Sequence, residues 1–247
     1  MPRILTLALL LLPSLAAAQT GGPDAFGYHY APVAYDFVAL AGTGTAANPE
    51  DTATVALPWA FPWYGTDHSD VRVGLHGGLR FGAGDIDDAE ACLPAAGSGP
   101  DVAVLWQPTA LGGGDVYTWH DAATDRFIVS WEDVEVDGDH MDFQVHLHPD
   151  GQVQLHWEDV TGPGFVNNNG ANAVVGIQDQ AGGSGVALQV SCHQPTVAAS
   201  TALGFQACVD GDGDGEFDAA CLGTDCDDDE PTVGANLPEI CDGLDND

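Results

Sequence analysis

Phe143-Gln-Val-His-Leu-His-Pro-Asp-Gly-Gln-Val-Gln-Leu-His-Trp157 decides the fold. Apolar and polar residues alternate strictly on both sides of Pro149-Asp-Gly151. Side chains of a strand point to opposite faces in turn, so this alternation marks two half-buried strands. A short loop with glycine in last place is a favoured hairpin connection. The turn sets Val145 opposite Leu155 and Leu147 opposite Val153, which gathers the apolar residues on one face. The other face carries Gln144, His146, His148, Gln152, Gln154 and His156. It reads as a solvent-facing polar strip of the kind antiparallel sheets ordinarily have.

The same pattern extends in both directions. Further expected strands are Ala34–Leu40, Thr52–Leu57, Val71–Phe81, Val102–Trp106, Val116–His120, Arg126–Val134, Val174–Gln178 and Gly185–Ser191. Gly, Pro, Asn and Asp clusters separate them, and no sustained helical period intervenes after the N-terminal segment. Many short strands at such spacing predict an all-β fold, an antiparallel β-sandwich spanning residues 21–205.

Residues 1–18 have the pattern of a signal peptide. Arg3 supplies the positive charge, Ile4–Leu12 the apolar run, and Ala16-Ala-Ala18 the cleavage site. That run is too short to cross a bilayer, and no other run is long enough, so the mature chain is expected to have no transmembrane segment and to be secreted or held at the cell surface. Cys92 and Cys192 lie in the sandwich region, and Cys208, Cys221, Cys226 and Cys241 follow it. In an exported chain these even numbers imply disulfides within each region, and the four later cysteines allow three pairings. The net charge of −34, with four cationic side chains in all, excludes nucleic acid as a partner, because phosphate contacts need clustered cations.

Phe61-Pro-Trp-Tyr-Gly65, the Val71–Phe81 stretch, Trp131-Glu-Asp-Val134, Phe143–Gly151 and Val175-Gly-Ile-Gln-Asp179 together resemble the nidogen-like extracellular β-domain and its bacterial relatives. His76-Gly77 stands where that family usually has Asn-Gly. The resemblance implies a domain of matrix and surface proteins rather than an enzyme, with an extracellular protein or glycan as partner.

From Gln206 to Asp247 there are fourteen Asp or Glu and four Cys, and no Lys or Arg. Carboxylates this dense repel one another unless a cation neutralises them. Asp210, Asp212 and Asp214 alternate with glycine, followed by Glu216 and Asp218, as in the opening of a calcium loop. Cys221 occupies the twelfth position, where an EF-hand needs glutamate, so the segment is not an EF-hand. It is similar instead to a thrombospondin type 3 loop. Asp225-Cys-Asp-Asp228 and Pro238-Glu-Ile-Cys-Asp-Gly-Leu-Asp-Asn-Asp247 resemble the metal-binding motif named after MopE-type copper-binding surface proteins. That motif continues with a cysteine where this sequence stops. The expected metal ligands are Asp210, Asp212, Asp214, Glu216, Asp218, Asp225, Asp227, Asp228, Asp229, Asp242, Asp245 and Asp247. Residues 206–247 thus read as an irregular, disulfide-stapled, metal-dependent tail.

Oxygen ligands favour Ca²⁺, whereas Cu²⁺ prefers imidazole or soft sulfur. A competing copper or zinc reading therefore moves to His146, His148 and His156, whose spacing suits an imidazole set. No nucleophile elbow, zinc-protease signature or P-loop is present, so a secreted glycan hydrolase is the minor alternative. The expectation is a secreted, non-enzymatic, calcium-binding protein with an adhesion-type sandwich.

Overall fold

The computed structural model describes residues 19–86, 88–95, 97, 99–162, 168–179, 186–208, 229–230 and 232. Among the described residues, thirteen strands build two antiparallel sheets. In chain order they are β1 (Tyr28–Pro32), β2 (Thr45–Ala46), β3 (Thr52–Trp63), β4 (Thr66–Gly74), β5 (Gly78–Arg80), β6 (Val102–Trp106) and β7 (Asp115–Asp121), then β8 (Arg126–Val136), β9 (Asp139–Leu147), β10 (Val153–Asp159), β11 (Val174–Gln178), β12 (Ala187–Cys192) and β13 (Thr201–Ala207). One sheet runs β1-β13-β10-β9-β8-β7-β2 and the other β12-β11-β6-β5-β4-β3. The result is the expected β-sandwich.

The 143–157 hairpin has the register its sequence dictates. Val145 pairs with Leu155 and Leu147 with Val153. His148 N–H donates to Gln152 O, and Gly151 N–H to His148 O, each at 3.0 Å. Phe143, Val145, Leu147, Val153, Leu155 and Trp157 all enter the core between the sheets. They meet Val71, Val73, Leu79, Val102, Val104, Val175 and Ile177 of the second sheet. Two indoles also tie the layers with hydrogen bonds. Trp131 Nε1–H donates to Gly74 O at 3.0 Å, and Trp157 Nε1–H to Val104 O at 3.1 Å. Each bond satisfies the one polar atom of a large buried ring.

Several strand expectations need correction. Val71–Phe81 is two strands, β4 and β5, with Gly77 in the turn at φ 77°. A Cβ at Gly77 would lie 2.5 Å from Leu105 O, so only glycine fits this left-handed turn against β6. Sequence reasoning missed β1, β2 and β13. β13 is interrupted by Gly204, which weakens its strand pattern. That glycine is required by contact, since a Cβ there would lie 2.6 Å from Val33 Cγ1. The turn of the β8–β9 hairpin carries a signature that the sequence reading did not use. Asp137 and Gly138 both have positive φ, 51° and 86°, as the favoured two-residue hairpin turn demands.

Ala34–Leu40 belongs to neither sheet. It is part of an extended strap, residues 33–41, that hydrogen-bonds to outward-pointing side chains of the seven-stranded sheet. The outer face of the six-stranded sheet is covered too. There the segment between β5 and β6 packs Ile86, Leu93 and Ala95 on Ala103, Trp106 and Val174. The Cys92–Cys192 disulfide fastens that segment to β12.

Candidate functional site

The expected tail ligands Asp210, Asp212, Asp214, Glu216, Asp218, Asp225, Asp227, Asp228, Asp242, Asp245 and Asp247 lie outside the described residues, as does the signal peptide. Asp229 is described, as an exposed turn residue. Among the described residues, no group of three or more His, Cys, Asp or Glu is placed to hold a metal ion. Cys208 is disulfide-bonded, and the pairing of the later cysteines lies outside the described residues.

Half of the polar strip of the 143–157 hairpin is not solvent-facing, while His148, Gln152 and Gln154 remain partly exposed. Gln144, His146 and His156 are each 0% exposed, as is Ser130 on the neighbouring β8. The strap buries them, and its backbone supplies the partners that water would otherwise give. Buried polar groups need such partners, because an unpaired one costs about 1–3 kcal/mol.

The chemistry of this cluster can be read atom by atom. Val38 N–H donates to Gln144 Oε1 at 3.0 Å, and Gln144 Nε2 donates back to Val38 O. This backbone pair fixes which way the amide points. Gln144 Oε1 therefore faces His146 Nε2, 3.1 Å away, so that nitrogen carries the proton. His146 Nδ1 accepts from Arg126 Nη1 at 3.3 Å, since a guanidinium only donates. Gln144 Nε2 also donates to Ser130 Oγ at 2.9 Å, and Ser130 Oγ–H to Glu132 Oε1 at 2.9 Å. Glu132 Oε1 and Oε2 accept the Leu40 and Ala41 amides at 2.6 and 3.1 Å.

His156 stacks on His146 with ring centroids 4.1 Å apart. Its Nδ1 accepts the Asp36 amide N–H at 3.2 Å, the one hydrogen bond of its ring among the described residues. Arg126 reaches Asp36 Oδ2 at 2.6 Å and Asp121 Oδ2 at 3.3 Å. Burial is the main cause that keeps both imidazoles neutral. It pushes His146 down to about 2, helped by His156 and Arg126. It pushes His156 down to about 4, against the pull of the Asp36 carboxylate. His148, half-buried at the hairpin turn, is also lowered, mainly by burial.

Three imidazoles at the expected spacing thus do not form an open ligand set. Both nitrogens of His146 are engaged, and a guanidinium stands where a metal cation would repel it. Nor is the cluster a catalytic constellation. The Ser130 hydroxyl is committed to a carboxylate inside a closed network. The signal missed in the sequence is the strap. An apolar, alternating segment without a partner strand, facing a strand whose polar face carries Gln and His, is what this packing requires.

A second feature is an apolar cleft of about 270 Å³, lined by Pro32, Trp157, Val190, Val197 and Leu203. Gln19 enters it and its Nε2 donates to Thr196 O at 3.3 Å. Among the described residues, no titratable side chain lines it. Asp101 is the strongly perturbed carboxylate, pushed up to about 7 mainly by burial. It is the last residue of the β5–β6 segment, where its Oδ2 takes the Phe81 amide at 2.7 Å, and it does not line the apolar cleft.

No curated protein and no solved structure gives a significant match. The sequence family described as NIDO related matches residues 27–212, from just before β1 to beyond β13. This match takes in both sheets, the strap and the disulfide. The chain therefore belongs to the nidogen-related family.

Proposed function

We propose that the protein is an exported, non-enzymatic recognition protein whose sandwich binds an extracellular protein or glycan and whose acidic tail binds calcium. The observation that carries the first part is the nidogen-related match across the sandwich. A disulfide joining residues 100 apart fits an oxidising, extracellular setting. No helix among the described residues is long and apolar enough to cross a membrane. The cleft without titratable groups and the committed serine hydroxyl support a binding role over a hydrolytic one.

The tail reading rests on its ligand chemistry. Hard carboxylate oxygens at alternate positions suit Ca²⁺, and its thrombospondin type 3-like and MopE-type spacing supports metal binding. Calcium then removes carboxylate repulsion and couples ion binding to ordering of the tail. The test is calorimetric titration of Ca²⁺ into the oxidised, metal-stripped protein and into an Asp210→Asn/Asp212→Asn/Asp214→Asn variant, with Cu²⁺ run alongside. Binding that is lost in the variant supports the proposal. Absence of Ca²⁺ binding in the parent protein, or an unchanged titration in the variant, overturns it.

A further inference from the structure

The strap and the polar face beneath it form a device whose two halves respond differently to acid. We infer that residues 33–41 are an acid-released latch, closed by neutral imidazoles at neutral pH and opened from its Asp36 end when His156 takes a proton.

The geometry gives the reason. In the closed form His156 Nδ1 holds the Asp36 amide through a lone pair, 3.2 Å away. Protonation puts a hydrogen on that nitrogen, so two N–H groups then face each other and the bond is lost. The new charge lies on a ring stacked 4.1 Å from His146, itself in contact with the Arg126 guanidinium. An imidazolium there has no route to water while the strap is closed, and lifting the strap restores one.

The charged groups around the pair set the direction of the effect. From the strap, the Asp36 carboxylate attracts a proton to His156, but it is already bound to Arg126 at 2.6 Å. From β7, Asp121 holds the other side of the same guanidinium. From β8, Arg126 opposes protonation, and Glu132 holds the Leu40 and Ala41 amides at the far end of the strap. From β9 come His146 and Asp142, and after its last residue His148. From β10, Glu158 takes the Tyr35 hydroxyl. The nearest carboxylate is thus spent on a guanidinium, so burial and the adjacent cation decide the outcome.

The sign follows from linkage. His156 titrates at about 4 in the closed form and regains its ordinary value of about 6.5 once the strap is open. The closed form therefore holds its full advantage above about pH 6.5 and loses it as the pH falls towards about 4. Over that interval the population of open strap rises about 100-fold from this histidine alone. The other covering segment has no histidine and is held by Cys92–Cys192, and its buried Asp101, pushed up to about 7, favours closure as the pH falls, so it stays closed across the same range.

Hydrogen exchange of the intact oxidised protein tests this, read by mass spectrometry from pH 7 to pH 4 and corrected for intrinsic exchange. The expected result is a steep loss of protection in peptides covering residues 33–41, while those covering residues 91–95 stay protected. The His156→Gln variant keeps an acceptor for the Asp36 amide but cannot titrate, so it should flatten the acid response of the strap. Aspartate and glutamate side chains near the strap also protonate in acid. If the variant opens with the same pH dependence as the parent, those carboxylates own the effect and the latch is overturned. Simultaneous loss of protection in both segments would also overturn it, since that is global unfolding.

Discussion

The two faces of the sandwich are covered by segments that share one device and differ in what is added to it. On the seven-stranded sheet Gln144 pairs its side-chain amide with both backbone groups of Val38. On the six-stranded sheet Gln178 does the same with Ala95, accepting its N–H at 2.7 Å and donating to its O at 3.1 Å. Gln178 Nε2 also donates to Pro100 O at 2.8 Å. In each case a glutamine stands in for the backbone of a neighbouring strand. Around this shared element the fasteners diverge. Both covers also use side-chain-to-backbone hydrogen bonds and a guanidinium, Arg126 under one and Arg80 under the other, but one adds buried imidazoles and the other an apolar cluster and a covalent bond. The difference teaches that a sheet face can be closed either by burying carbon or by matching every polar atom. The imidazole-lined cover loosens in acid, whereas the Asp101 carboxyl of the other, pushed up to about 7 by burial, favours closure as the pH falls.

The largest expected effect concerns the covalent fastener. Cys92→Ser with Cys192→Ser should cost about 2–5 kcal/mol of stability, measured by urea unfolding, because the bridge closes a long loop. It should also free the β5–β6 segment for proteolysis while leaving residues 33–41 protected at neutral pH. Equal exposure of both segments would break the comparison.

Next come the two glutamines. Gln144→Ala and Gln178→Ala should each cost about 2–3 kcal/mol, since each leaves several buried backbone and side-chain groups without partners. The consequences for the covers should differ. Gln144→Ala should release residues 33–41 to hydrogen exchange, whereas after Gln178→Ala the disulfide and the Ile86–Leu93 cluster should keep the other segment in place. Release of neither or of both would show that the fasteners are not distinct.

The smallest effect is at the surface of the second cover. Arg72 Nη2 meets Asp85 Oδ1 at 2.8 Å, but the aspartate side chain is 73% exposed. Arg72→Ala should change stability by under about 1 kcal/mol in a urea titration, as exposed ion pairs do. A larger loss would mean that charge pairing matters on both faces.

Much of this was legible in the sequence because it rests on period. The hairpin around Pro149-Asp-Gly151 has the expected register, and its apolar face is the expected core face. The strap escaped the same reasoning for a physical reason. Val33, Tyr35 and Phe37 give it a strand-like alternation, and the chain is indeed extended, but its amides at Asp36, Val38 and Leu40 go to side chains. Side-chain-to-backbone bonds leave no periodic mark. The same gap misled the reading of His146 and His156. Alternation shows which residues share a face, and it does not show whether that face meets water. The tail is the opposite case. Its carboxylate spacing states a ligand chemistry directly, while the order of its residues says little about how they are arranged.

The pairing of β1 with β13 has a mechanical consequence. Tyr28 lies opposite Ala207, and Cys208 N–H donates to Gly27 O at 2.9 Å, so Gly27 and Cys208 sit at the same end of the same pair of strands, while the residues before Gly27 fold back to bridge Gly21 to Tyr30. Tension applied between those two points would strip the pair open one bond at a time, as a zipper yields. Tension that enters through a ligand on the far end of the sandwich and leaves through Cys208 would instead load the β10–β13 and β1–β13 bonds together, in shear. A load applied at the far end of the sandwich and borne by Cys208 would therefore be resisted far better than one applied between Gly27 and Cys208.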